Sequence, residues 1–73
     1  MARETMKTII NIMKDLNQTK DTTLGVIAFL KTEDNAQIMI NWLEENKDKK
    51  HSQHEILTKL DQITGIYYKS LFF

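Results

Sequence analysis

The chain predicts an all-α fold, a small bundle of four helices, and three observations carry that prediction. Its 73 residues include no proline, so nothing forces a helical segment to break. Apolar residues recur at intervals of three and four along most of the length, the spacing of one helix face. Two capping signals, Thr32 before Glu33-Asp34 and Ser52 three residues before Glu55, stand where apolar runs begin. Strand-like character is confined to Ile38-Met39-Ile40, too short for a strand, and to Ile66-Tyr67-Tyr68, which follows a helical pattern.

The first helix is expected over 3–17. Met6, Ile9, Ile10, Met13 and Leu16 share one face, Arg3, Lys7, Asn11, Lys14 and Asp15 share the other, and Ile12 lies off the stripe. The polar segment Asn17 to Thr23 ends it, and Asp21 or Thr22 can cap a second helix over 23–31. Thr32 caps the third, 33–46, where Glu33 and Asp34 place negative charge against the positive end of the helix dipole. Ala36, Met39, Ile40 and Leu43 form one stripe of this helix while Ile38 and Trp42 form another. Two apolar stripes allow two neighbours, which puts the third helix at the centre. Lys47 to His51 is a charged connector, and Ser52-Gln53-His54-Glu55 is a capping box that starts the fourth helix, 53–70. Ile56, Leu57, Leu60, Ile63, Tyr67 and Leu71 continue its stripe, with Gly65 off the face.

Leu24 to Leu30 and Ala36 to Leu43 are apolar around most of the helical circumference. A small monomer covers one stripe per helix, so these segments call for further cover. A single core in a chain this short supplies about 3–5 kcal/mol without added support. With no cysteine, neither disulfides nor thiolate zinc sites can provide it. The chain therefore reads as one domain that forms a homodimeric bundle through its second, third and fourth helices. Its expected role is that of a small non-enzymatic regulatory or protein-interaction module, with Phe29, Met39, Trp42, Tyr67, Leu71 and Phe73 as dimer or partner contacts. The aromatic-rich end, Ile66 to Phe73, would be sticky if left bare.

Ten basic and ten acidic side chains balance, which removes any overall drive toward nucleic acid or anionic membrane. The distribution is uneven. Arg3, Lys7, Lys14 and Lys20 outweigh Glu4 and Asp15 by two, Lys31 faces Asp21, Glu33, Asp34, Glu44 and Glu45, and the last 27 residues are again basic by two. Basic ends thus flank an acidic centre, whose 33–45 rim is expected to set specificity in pairing. Neither a signal peptide nor about 18 consecutive apolar residues occurs, so a cytoplasmic, non-membrane protein is expected. The many Lys, Ile and Asn residues suggest a bacterial or phage source. His51, His54 and Glu55 lie close in sequence but lack a second ligand cluster, so no metal or cofactor is expected. Every carboxylate falls on a polar face or in a first turn, so no catalytic residue is assigned.

One alternative comes from a resemblance. The turn Thr64-Gly65-Ile66, Leu60 five residues before the glycine and Leu71 six after it make residues 52–71 similar to bacterial helix-turn-helix DNA-binding domains. That resemblance implies a transcriptional regulator whose second helix presents Tyr67, Tyr68, Lys69 and Ser70 to DNA.

Overall fold

Four helices form in the expected order in the computed structural model, which describes residues 1–46, 48 and 51–65. They are α1 (Arg3–Asp15), α2 (Lys20–Leu30), α3 (Glu33–Glu45) and α4 (Gln53–Thr64), and no strand occurs among the described residues. The core is built from Ile9 and Met13 of α1, Val26 and Leu30 of α2, Ala36, Met39, Ile40 and Leu43 of α3, and Ile56 and Leu60 of α4. Both α2 and α3 pack against all three other helices, while α1 and α4 meet least. The central position expected for α3 is therefore shared with α2.

The buried face of α1 is turned by a fraction of a turn from the one its periodicity suggested. Thr5, Ile9 and Met13 are buried, and Ile12 and Leu16 pack beside them, whereas Ile10 is left exposed. Ile12, read as lying off the stripe, is thus on it. The helix stops in a Schellman closure, in which Asn17 adopts φ 60° and the amides of Asn17 and Gln18 donate to the carbonyls of Lys14 and Met13, both at 3.0 Å.

The start of α2 is also corrected. Its N-cap is Thr19, whose Oγ1 accepts the Thr22 amide at 3.1 Å, so the helix begins three residues before the expected position 23. By contrast, Thr32 caps α3 as expected, accepting the Asn35 amide at 3.2 Å. Between the two lies Lys31, at φ 63° and ψ −50°, with the Thr32 amide donating to the Leu30 carbonyl at 2.7 Å. These are the angles and hydrogen bond of a γ-turn of the rare, strained hand. The Asn35 side chain also donates to the Leu30 carbonyl, at 3.0 Å, and helps hold this corner.

The Ser52 capping box is complete, with each partner's side chain accepting the other's amide. At the far end, α4 stops at Thr64, and positions 66–70 of the expected range lie outside the described residues. Gly65 takes φ 67°, a left-handed C-cap, and its amide donates to the Asp61 carbonyl at 2.7 Å. Residues without a Cβ adopt this conformation at no steric cost, whereas other residues lose about 1–2 kcal/mol there. Two substitutions should therefore act in opposite directions. Gly65→Ala lowers stability by about 1 kcal/mol and Lys31→Gly raises it by a similar amount, both read from urea midpoints.

A contact not visible in the sequence ties the ends of α1 and α3 together. The Glu33 carboxylate accepts the Ala2 amide at 2.8 Å, the Thr5 hydroxyl at 2.6 Å and the Gln37 amide at 2.9 Å. Ala2, the N-cap of α1, offers no side-chain cap of its own. Glu33 thus serves the start of two helices, and these hydrogen bonds, the Ala2 amide first, hold its carboxyl down at about 2. None of the described helices is long and apolar enough to cross a membrane.

Candidate functional site

The apolar excess expected in the middle of the chain is left bare at Leu24 and Phe29 of α2 and at Ile38 of α3. From Thr22 to Leu30, α2 carries no charged residue. Thr23, Val26 and Leu30 turn into the core, while Leu24 and Phe29 are each 52% exposed. Five residues separate these two, so they stand about 140° apart around the axis at 3.6 residues per turn. They therefore belong to opposite flanks of the helix.

On one flank, Leu24 meets α1. Together with Ile10, Lys14, Gln18, Lys20 and Thr23 it lines a groove of about 330 Å³. On the other flank lies α4. The Gln53 side chain donates to the Thr22 hydroxyl at 3.1 Å and so marks the α2/α4 seam. Phe29 is seven residues beyond Thr22 on the same stripe, and the exposed Leu57 is one turn beyond Gln53. The α1/α2 groove thus carries Ile10 and Leu24, and the stripes that run on from the Thr22–Gln53 contact carry Phe29 on α2 and Leu57 on α4.

Of the contact residues expected from the sequence, Phe29 is on this surface. Met39 is not. It has 0% exposure and sits among the core side chains, because position 39 shares the inward stripe of Ala36, Ile40 and Leu43. The single chain thus holds Met39 in its core. Trp42 is half-buried, packed against the core from α3. Tyr67, Leu71 and Phe73, and the alternative DNA-facing set Tyr67, Tyr68, Lys69 and Ser70, lie outside the described residues.

Around Trp42 the structure builds a cluster that sequence reasoning missed. His51, read as part of a charged connector, is only 5% exposed and stacks on the indole, with ring centroids 4.3 Å apart and planes at 29°. Its Nδ1 lies 3.0 Å from Glu55 Oε2, and its carbonyl accepts from Gln18 at 3.4 Å. Lys59 Nζ sits 5.9 Å from the centre of the Trp42 ring, within cation–π range. The hydrogen bond from His51 and that from the Ser52 amide hold the Glu55 carboxyl below its ordinary range. His51 thereby joins the loop between α1 and α2, through Gln18, to Trp42 of α3 and Glu55 of α4. The one clue in the sequence was Trp42, a side chain large enough to need a partner at the edge of the core.

No match to a protein-family model, a curated protein or a solved structure is found for this chain. Function has to be read from its own surface. Among the described residues no three metal-ligating side chains converge. His51 turns its ring onto Trp42, and His54 is exposed on α4. Both carboxyls with displaced titrations, Glu33 and Glu55, are displaced downward. That direction keeps them charged acceptors, opposite to what a proton donor near neutral pH requires.

Proposed function

We propose that the chain is a small non-enzymatic regulatory or protein-interaction module of the cytoplasm, acting through helical apolar surface and paired as a homodimer. The observation that carries the reading is α2: a helix without charge from Thr22 to Leu30 that leaves Leu24, Ala28 and Phe29 outward. In water such a face favours burial against a partner, at about 25 cal/mol per Å² covered. The pairing is placed on the α2/α4 seam, where Phe29 and Leu57 of one copy meet the same residues of the other in an isologous contact. Half-buried Trp42 and the exposed Asp34, Glu44 and Glu45 on α3 border the remaining surface, where the acidic rim tunes specificity.

Replacing Phe29 and Leu57 by serine tests this pairing. The double variant should keep its helical circular dichroism and elute from gel filtration at half the native mass. Unchanged elution of a folded variant would count against the seam. A second reading is favoured by one observation, the left-handed Gly65 at the end of α4, since a helix-turn-helix requires a turn there. DNA binding would then run through Tyr67, Tyr68, Lys69 and Ser70. Fluorescence anisotropy of labelled duplex, falling steeply with salt, would mark it.

A further inference from the structure

The groove on the other flank of α2 has a charge pattern that specifies an occupant. Its apolar floor is Ile10 and Leu24, and both its cations, Lys14 and Lys20, lie one turn from one of these residues. Arg3 and Lys7 extend the same stripe of α1, at positions 3, 7, 10 and 14. All four cations are exposed, and none is engaged in an ion pair among the described residues. The acidic residues Glu4 and Asp15 fall on the adjoining faces of α1, and Asp21, one turn before Leu24 on α2, is outside the groove lining.

We propose that this groove docks an acidic amphipathic helix of a partner protein. Its apolar side chains enter between Ile10 and Leu24, and carboxylates one turn away on either side meet Lys14 and Lys20, with Lys7 and Arg3 prolonging the track. Such docking presupposes that the chain works as an interaction module and gives the partner of that module a chemistry. A concave apolar floor suits helix side chains. A bilayer surface takes up a wide apolar helix face, whereas this groove offers two such residues, Ile10 and Leu24. A nucleic-acid strand would use the cations but not the floor, and the zero net charge of the chain weakens attraction for any polyanion.

Two labelled synthetic helices of about four turns serve as probes, each with leucine at i, i+3, i+4 and i+7, one flanked by glutamates and the other by lysines. At low salt the acidic peptide should bind the full chain at least about tenfold more tightly than the basic one, and added salt should narrow the gap. Lys14→Glu with Lys20→Glu should invert the preference, and Leu24→Ser should weaken the native complex, all with unchanged circular dichroism. Equal binding of the two peptides would overturn the proposal. So would no binding of the acidic peptide up to about 1 mM, or binding that ignores these substitutions. Duplex DNA or phosphatidylserine vesicles that bind through Lys14 and Lys20 where the acidic peptide does not would also overturn it. The Phe29→Ser, Leu57→Ser variant separates this site from the dimer seam. If it still binds the acidic peptide, the groove stands whatever becomes of self-association; if the dimer forms but the peptide does not bind, only the groove fails.

Discussion

Met39→Ala should lower the free energy of unfolding by about 2–5 kcal/mol, the usual result of truncating a fully enclosed core side chain. At about 0.05–0.15 kcal/mol per residue, a chain of 73 residues has only about 4–11 kcal/mol in all. The variant therefore loses a large share of its stability and, at the low end, does not fold. Phe29→Ser provides the contrast. At 52% exposure it should leave the stability of the isolated fold within about 0.5 kcal/mol. Urea denaturation at low protein concentration, where association adds nothing to the folded state, compares the two directly. Similar losses for both would mean that Phe29 belongs to the core.

Acid should reveal the Glu33 clamp. Its carboxyl titrates at about 2 in the folded chain against an ordinary 4.5. The charged form is favoured by folding, so the stabilisation is full above pH 4.5 and is lost as the pH falls toward 2. Glu33→Gln keeps the size and one acceptor oxygen but removes the charge. Urea midpoints of the two proteins should therefore differ most at neutral pH and converge between pH 4.5 and 2. The depression comes mainly from hydrogen bonds with Ala2, Gln37 and Thr5, so added salt should leave the convergence in place. A constant gap across that range would show that the three hydrogen bonds do not favour the charged carboxylate.

Local signals in the sequence sufficed where a single residue was suited to cap a helix start. Thr32 and the Ser52–Glu55 capping box fix the starts of α3 and α4 because a cap is decided within four residues. The start of α2 escaped because Thr19, Asp21 and Thr22 can all cap, and the structure uses the Thr19 hydroxyl, which accepts the Thr22 amide. The rotation of α1 that buries Ile12 and bares Ile10 is set by where α2 and α3 lie. Periodicity gives the width of an apolar stripe better than its direction. Glu33 and His51 were beyond reach for a different reason. Glu33 bonds to residues 28 and 31 positions earlier, and His51, before the cap of α4, stacks on an indole nine positions back in α3. The candidate surface was legible in kind, as apolar excess on the second helix, but its division into an α1/α2 groove and an α2/α4 seam depends on the packing.

Sedimentation equilibrium of the unmodified chain over a concentration series tests the interaction reading most directly. A mass rising from 8.6 kDa to twice that value with concentration, and little changed by salt, is the result the apolar α2/α4 seam predicts. A chain that stays at 8.6 kDa up to about 1 mM would contradict it.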